Sequence, residues 1–500
     1  MLMLDVIVVS RESFSLKTEL LALGVFKDEL NFFNLSNLSS GLEKIRQDLF
    51  TRGEFSANFG NTSLLHSNDT DVARKVLLIG LGNKQDFTPE SARLLAGKVT
   101  QKVRRLGLQE FSIFLTSKPS KEIVSATTEG IKLANYSFNK YKTVKEPDSD
   151  KEIEKSYILV DDYNQTLVKV VKESSIISES VNFARDLGNL PPNECSPAEL
   201  AKLALELASS SRIKVRIIEA TELKPNQLNG IFAVGAGSSS PPKLIIIEYL
   251  GRNDGQKDFL ILGKAVTFDT GGISLKPSEK MDEMKFDKCG GCNVIAIMKA
   301  LDRLSLPLDI IGIIPAVENM PSGNSYRPGD IIRMHNGKTI EIANTDAEGR
   351  IIMADALSYG VDTYSPKAIV DMATLTGAAI IALGSNVAAL LGNDQKLADK
   401  ILSAANLSGE KIWQLPIFEE HKEQIKSTVA DIKNIGGRSA GAITAAAFLS
   451  HFVGNTPWAH LDIAGTAYVQ EGSIEKSYIV KGATGFAVRT ILKLLTQFKI

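Results

Sequence analysis

The first third of the chain alternates short apolar runs with stretches of helical periodicity. Residues 76–80 form an apolar run that predicts a buried strand. Thr88 and Pro89 then supply a helix N-cap and a first helical residue, so we predict a helix that continues to about Leu106. A second apolar run at 111–115 predicts the next strand. This β-α-β order indicates an α/β domain.

A charged stretch and a proline-containing stretch interrupt this alternation. Residues 142–155 carry charges of both signs and few apolar side chains, which predicts a solvated loop. A polar amphipathic helix is predicted for about 165–187, and the consecutive prolines of 189–194 then exclude a helix there. We place a domain boundary near residue 170. The result is an N-terminal domain, 1–170, and a C-terminal domain, 171–500.

The C-terminal domain repeats the alternation on a larger scale. Several of its apolar runs are continuous, as expected for strands that helices cover on both faces. Asn336-Gly337 between two strand-like segments is a strong hairpin signal. We therefore predict two α/β domains, the smaller at the N-terminus and the larger containing a central, mostly parallel sheet flanked by helices. The predicted strands of the larger domain are 215–218, 244–249, 259–262, 310–314 and 368–372.

Composition and charge exclude several classes of protein. The 500 residues are 44% hydrophobic and 23% charged, and the formal net charge of -1 gives no general attraction to nucleic acid or anionic membranes. Asp5 interrupts the apolar N-terminus, so we expect a first strand there and not a secretory signal. Three cysteines cannot form a disulfide framework, which favours a reducing, cytoplasmic location.

Charged residues concentrate in two stretches, 263–287 and 344–350, which follow predicted strands. Ligands of open α/β sheets bind at the carboxyl ends of strands, where we expect both stretches to lie. Four carboxylates gathered there could not all stay ionised unless cations offset their repulsion, and divalent metal ions would do so. Lys264 could join them as a neutral amine. The carboxylates are Asp269, Asp287, Asp346 and Glu348.

The same residues have a simpler interpretation. Both stretches could be solvated turns held by surface ion pairs, because single carboxylates are more often exposed than metal-bound. Their position after apolar strands and beside Gly271-Gly272 favours a metal-assisted hydrolase. The pair Cys289 and Cys292 has no second cysteine pair, so we interpret it as two buried thiols at the start of a helix.

These stretches also resemble a known family. Residues 344–350 read NTDAEGR, which resembles the signature of the leucyl (cytosol) aminopeptidase family, and 263–276 resembles its other conserved block. The resemblance extends from about Asn182 onward. It implies a metallo-aminopeptidase that removes N-terminal residues, preferably Leu, Met and other apolar ones, from peptides. It further implies a cytoplasmic homohexamer with two divalent metal ions per subunit, Zn²⁺ or Mn²⁺ with Mg²⁺ as a further option.

The resemblance assigns roles to individual residues. Lys276 corresponds to an electrophilic lysine near the scissile carbonyl, and Arg350 to an arginine that holds a bicarbonate ion. The tighter metal is implied to bind Lys264, Asp269, Asp287 and Glu348, and the exchangeable one Asp269, Asp346 and Glu348. The first side-chain pocket is implied to include Met284, Thr374 and Gly377.

The chain departs from the family pattern directly after Asp287. Family members continue with Met and small residues, whereas this chain has Lys-Cys-Gly-Gly-Cys-Asn at 288–293. Two other functions stay open from the sequence. A two-metal phosphoesterase could use the same carboxylates, although the expected arginine pairs and abundant histidines are missing. Some relatives also bind DNA, which would require a basic groove that the net charge does not indicate.

Overall fold

The computed structural model describes residues 4–12, 18–29, 40–66, 73–143, 152–470 and 476–497. The chain divides into two compact units, which we call the first and second unit. The first unit comprises 1–179 and 471–480, and the second comprises 180–470 and 481–500. The boundary predicted near residue 170 lies inside a helix, Gln165–Asn189, that runs from the first unit into the second.

The described part of the first unit forms a six-stranded sheet with helices. Its strand order is β1-β6-β5-β2-β4-β3, and all neighbours are parallel except β3 and β4. The strands are β1 (Asp5–Ser10), β2 (Thr18–Phe26), β3 (Thr62–His66), β4 (Ala73–Gly82), β5 (Glu110–Phe114) and β6 (Lys155–Val160). The helices are α1 (Ser40–Thr51), α2 (Pro89–Arg105), α3 (Lys121–Ala134) and the first part of α4 (Gln165–Asn189).

Local sequence explains where the elements of this unit begin. The Thr88 hydroxyl accepts a hydrogen bond from Ser91 N at 3.2 Å, and Pro89 opens α2, which confirms the predicted start of that helix. The predicted strands at 76–80 and 111–115 are confirmed as parts of β4 and β5. Most of the predicted loop at 142–155 lies outside the described residues.

The second unit is built on a nine-stranded sheet among its described residues. Its order is β16-β15-β18-β14-β9-β11-β8-β7, with β10 also paired to β11. The strands of the unit are β7 (Ile213–Ile218), β8 (Lys243–Leu250), β9 (Phe259–Gly263), β10 (Ala265–Asp269), β11 (Asp309–Asn319), β12 (Ile331–Arg333), β13 (Thr339–Glu341), β14 (Ala368–Ala373), β15 (Ala388–Gly392), β16 (Ile412–Gln414), β17 (Ile432–Lys433), β18 (Trp458–Asp462), β19 (Tyr468–Val469) and β20 (Gly482–Ala483).

Helices cover the large sheet, as its continuous apolar strands predict. Strands β9, β11 and β14 are almost wholly buried, and five of the eight pairings in the sheet are parallel, namely β10/β11, β9/β11, β9/β14, β14/β18 and β15/β16. The helices are the rest of α4, α5 (Pro197–Glu206), α6 (Ala220–Leu223), α7 (Asn229–Gly235), α8 (Cys289–Leu304), α9 (Glu348–Tyr364), α10 (Gly377–Leu383), α11 (Gln395–Ser408), α12 (Glu419–Glu423), α13 (Gly441–Ser450) and α14 (Val488–Gln497).

Of two local predictions, the hairpin is confirmed and the absence of helix at 189–194 is wrong. The Asn336-Gly337 hairpin is confirmed, since β12 and β13 pair antiparallel and Gly337 has a φ of +85° that suits glycine. The prediction that 189–194 contains no helix is wrong at both ends. Asn189 closes α4, and Pro192–Glu194 form one 3₁₀ turn. A proline can open such a turn because the first turn needs no N–H from it.

No helix within the described ranges combines the length and apolar character that crossing a bilayer requires.

Candidate metal centre

The first charged stretch leaves the large sheet at its centre. Lys264 follows β9 directly, and Asp269 is the last residue of β10. The chain then turns back through Gly271 and Gly272, whose φ values of +85° and +67° favour glycine. A Cβ on Gly271 would lie 2.9 Å from the Asp346 carboxylate, so only glycine allows this approach. The turn brings Lys276 back beside Asp269.

The second charged stretch reaches the same place from another sheet. It follows β13 of a three-stranded sheet, so the expectation that both charged stretches follow strands is confirmed, although the two strands belong to different sheets. Hydrogen bonds join the two stretches, from the Thr345 hydroxyl to Gly271 O at 2.6 Å and from Ser274 N to the Thr345 hydroxyl at 2.8 Å. Glu348 then opens α9.

Two lysines each lie between two carboxylates. Lys264 Nζ is 2.9 Å from both Asp287 and Glu348 and donates to Thr374 O at 2.8 Å. Lys276 Nζ is 2.8 Å from Asp269 and pairs with Asp346 as well. The four carboxylates that the sequence singled out therefore lie in one cluster and are not scattered over the surface.

Burial and mutual repulsion perturb the acidic groups. Burial raises the pKa of Glu348 to about 7, and the nearby Asp269 carboxylate adds to this rise. Burial also raises the pKa of Asp287 to about 6, although Lys264 opposes the change. Burial alone would lower the pKa of Lys264, but Asp287 and the other carboxylates outweigh it and raise that pKa. The cluster therefore depends on cations to keep its acids ionised.

The donor set fits a divalent metal ion. One carboxylate oxygen from each of Asp269, Asp346 and Glu348 lies within 4.8 Å of the other two. Oxygen-rich sets of this kind suit Mg²⁺ and Mn²⁺, and Zn²⁺ when a nitrogen ligand joins. The amine of Lys264, between Asp287 and Glu348, is such a nitrogen once it loses its proton.

Neighbouring polar groups hold this cluster in place. Asn319 Nδ2 donates to Asp269 at 2.8 Å and to Thr345 O at 3.1 Å, and the Thr374 hydroxyl donates to Asp287 at 2.7 Å. Asn319 was not predicted from the sequence. It is the polar last residue of the apolar strand β11, and that position could have indicated it.

The loop that carries Thr374 is itself anchored. Asp462, at the end of β18, accepts hydrogen bonds from Leu375 N at 3.2 Å and from the Thr376 hydroxyl at 2.7 Å. His460 in the same strand is fully buried and pairs with Asp371. His460 therefore lies inside the sheet.

Arg350 lies in the first turn of α9 and is 7% exposed. Its Nη1 donates to Asn434 O at 2.9 Å, whereas its buried Nε has no hydrogen-bond partner. Burial lowers the pKa of Arg350 to about 10, so the group remains a cation near neutral pH. An unsatisfied donor on a buried cation suits a small anion.

A cavity of about 640 Å³ opens beside the cluster. Its wall includes Lys276, Asp346, Met284, Ile380 and Tyr468. Of the three predicted pocket residues, the structure places Met284 in this wall. Thr374 points its hydroxyl at Asp287, and Gly377 starts α10; neither is among the lining residues.

Cys289 and Cys292 are both buried in the first turn of α8, as the sequence indicated. Burial raises the pKa of the Cys289 thiol to about 12. A thiol with such a pKa is neither a ready nucleophile nor a metal-binding thiolate.

The catalytic-domain model of the cytosol aminopeptidase family matches residues 182–492, and the N-terminal-domain model matches residues 22–145. The chain belongs to the cytosol aminopeptidase family. A probable cytosol aminopeptidase of Cenarchaeum symbiosum is 49% identical over 422 residues, 84% of this chain and 85% of that protein. Another of the same name from Roseiflexus castenholzii is 41% identical over 497 residues, 99% of each.

A solved structure shares the architecture. The bottromycin maturation enzyme BotP in complex with Mn matches with a TM-score of 0.83 and 33% identity, covering 95% of this chain and 98% of that chain. Membership of the cytosol aminopeptidase family implies metal-dependent aminopeptidase activity. The resemblance inferred from NTDAEGR is thereby confirmed at the level of family and of two-domain α/β fold.

Proposed function

We propose that the chain is a two-metal aminopeptidase that removes N-terminal residues, preferably Leu, Met and other apolar ones, from peptides. One observation carries this proposal: carboxylates from two separate stretches of chain meet within 4.8 Å beside an open cavity. Surface ion pairs do not account for it, because Asp269 and Glu348 are each 2% exposed. Acids so deeply buried and so close together stay ionised only beside cations, and the two lysines offset two of the four negative charges, so divalent cations suit the remaining charge.

Five residues would hold the two ions. Lys264, Asp269, Asp287 and Glu348 are proposed for the tighter ion, and Asp269, Asp346 and Glu348 for the exchangeable one. Zn²⁺ or Mn²⁺ would occupy the sites, with Mg²⁺ as a further option. When bound, such ions lower the pKa of a coordinated water and polarise the peptide carbonyl.

We assign Lys276 a direct part in this chemistry. Its side chain is 22% exposed and lines the cavity, and its ammonium pairs with Asp269 and Asp346. The carboxylates raise its pKa against the effect of burial, so it stays charged and can donate to a carbonyl oxygen that gains negative charge. Arg350 would hold a bicarbonate ion through its unpartnered Nε and keep this proton acceptor near the reacting water.

Preference for the chain end follows from the free α-amine. This amine would bind one metal ion and a carboxylate, whereas an internal peptide nitrogen cannot do so because its lone pair is delocalised into the carbonyl. The first side chain would then enter the cavity beside Met284, Ile380 and Tyr468. This mixed aliphatic and aromatic wall suits Leu or Met.

The testing experiment uses a panel of aminoacyl amides with purified full-length protein. Leucine amide should be hydrolysed, chelation should abolish the activity, and Zn²⁺ or Mn²⁺ should restore it. Glu348→Ala should remove the activity while leaving the fold intact, because it deletes a ligand proposed for both ions. Glu206→Ala, an exposed change on α5, serves as the control. Full turnover by metal-free protein would disprove the proposal.

Membership of the same family also supports a proposal for the location and the oligomeric state of the enzyme. We propose a cytoplasmic homohexamer that takes part in peptide turnover. The names of the relatives, which describe cytosol aminopeptidases, support the location.

A further inference from the structure

Lys288 is a buried cation with an unusual environment. Its side chain is 0% exposed, and among the described residues no carboxylate lies within 4.0 Å of its ammonium. Nζ instead donates to three backbone carbonyls: Gly188 O at 3.1 Å, Leu190 O at 2.9 Å, and Lys285 O. A buried ammonium destabilises the fold unless its surroundings replace the lost water. These three carbonyls supply that replacement.

All three acceptors lie at the ends of helical segments. Gly188 is in the last turn of α4, and Leu190 follows that helix directly. Lys285 is near the end of the 3₁₀ helix Met281–Phe286. Carbonyls at a helix C-terminus lack partners inside the helix and carry partial negative charge. A single ammonium therefore caps two helical segments and ties them together.

Glycine at position 188 makes this approach possible. A Cβ there would lie 2.6 Å from Ala483 Cβ and 3.3 Å from Cys289 Sγ. A larger residue would therefore force the end of α4 and β20 apart and crowd Cys289, the first residue of α8, which begins directly after Lys288. Close packing around Gly188 thus holds its carbonyl oxygen beside the ammonium of Lys288.

The 3₁₀ helix that Lys288 secures carries part of the cavity wall and leads into the metal centre. Met284 lines the cavity, and Asp287 N donates to Met284 O at 3.2 Å. Glu283 accepts a hydrogen bond from the Tyr468 hydroxyl at 2.8 Å, which joins another residue of the cavity wall to the same segment. Any shift of this segment would move Met284 and Asp287 together.

We propose that Lys288 is a positioning residue that sets the place of Asp287 in the metal centre and of Met284 in the cavity wall. The inference rests on the proposed function, because it assigns Asp287 to a metal and Met284 to the substrate. Lys288 itself is sealed from solvent, so it acts through the backbone and touches no substrate. It is also the first residue at which the chain departs from the family pattern, so its effect is a property of this chain.

The test replaces Lys288 by Met, which is similar in length but donates no hydrogen bond, and by Gln, which still donates. Metal affinity is measured by competition with a chelator, using Mn²⁺ and Zn²⁺ alone. We expect Lys288→Met to weaken binding about 10- to 100-fold, as loss of a supporting contact does at other metal sites. Lys288→Gln should recover part of that loss. Lys214→Met, an exposed change on β7, is the control for charge.

A kinetic measurement separates positioning from general damage. With metal at saturation, Lys288→Met should raise KM for leucine amide more than for alanine amide, because only the larger side chain reaches the Met284 wall. Gly188→Ala, which displaces one carbonyl and leaves the lysine unchanged, should weaken metal binding in the same direction. It supplies the test if both Lys288 variants fail to fold.

Some outcomes would overturn the inference. Folded Lys288→Met protein with unchanged metal affinity and an unchanged ratio of leucine to alanine amide KM would do so, as would folded Gly188→Ala protein with unchanged affinity. If the wild-type chain bound metal but hydrolysed no amide, the proposed function would fail. The Lys288 variants would then still decide the positioning role through metal affinity alone.

Discussion

The two lysines of the metal centre, Lys264 and Lys276, differ in how completely other protein groups surround their ammonium. Lys264 is 3% exposed, and Asp287, Glu348 and Thr374 O surround its ammonium. Lys276 makes similar ion pairs but is 22% exposed and faces the cavity. Only the second of these lysines can exchange one partner for a substrate oxygen without opening the core. The two lysines therefore suit different tasks, one inside the ligand set and one toward the substrate.

Replacing Lys276 by Met should lower kcat by about 10²- to 10³-fold, the usual effect of losing one donor to a developing oxyanion. Metal content should stay close to two ions per chain, since the carboxylates remain. Steady-state kinetics on leucine amide and metal analysis of the same sample check both statements. Lys202→Met, a change at a side chain that is 70% exposed, is the matched control. Unchanged kcat in Lys276→Met would remove this residue from the mechanism.

Among the secondary-structure elements, α9 connects the site to the core. Its first turn carries Glu348 and Arg350, and its middle carries the fully buried Asp355. Asp355 accepts hydrogen bonds from Gly230 N at 2.6 Å and Ile231 N at 3.1 Å, both in the first turn of α7, and from His335 N at 2.9 Å. Leu228 precedes α7 and gives it no side-chain cap, so Asp355 caps this helix from a distance.

Asp355→Asn should lower the free energy of unfolding by about 1–3 kcal/mol. The asparagine side chain has one acceptor oxygen where the carboxylate has two. Its NH₂ group would therefore face at least one backbone N–H, which would lose its hydrogen-bond acceptor. Denaturant unfolding of purified protein measures the change. Asp362→Asn, on the same helix but with a side chain that is 64% exposed, should change stability by less than about 0.5 kcal/mol. Equal stability of both variants would contradict the proposed capping role.

The elements also show what sequence patterns can and cannot predict. Buried strands such as β8, β9 and β14 were predictable because their apolar runs are continuous. Strand β10 was not, because Asp269 and the polar residues around it resemble a loop. The meeting of the two charged stretches depends on tertiary contacts such as Thr345 to Gly271, which leave no periodic signal. The sequence motif identified the residues of the metal centre, but it could not show which sheet each charged stretch follows.

At the scale of the whole molecule, several large apolar side chains are exposed to solvent. In the second unit Ile381 is 90% exposed, Trp413 65% and Leu275 62%. Single exposed apolar residues are ordinary, but side chains this large and this exposed favour contact with another chain. Ile381 follows Ile380, which lines the cavity. Contact through Ile381 would therefore lie beside the cavity.

Light scattering coupled to gel filtration should find six chains per particle for the wild-type protein. Ile381→Asp should reduce that number, because an aspartate in a subunit contact loses its hydration without gaining a partner. Ile381→Val keeps an apolar side chain and should leave the assembly intact. A monomeric wild-type protein at micromolar concentration would exclude the hexamer. A hexamer that tolerates Ile381→Asp would keep the assembly but place its contacts away from α10, so the exposed isoleucine would need another partner.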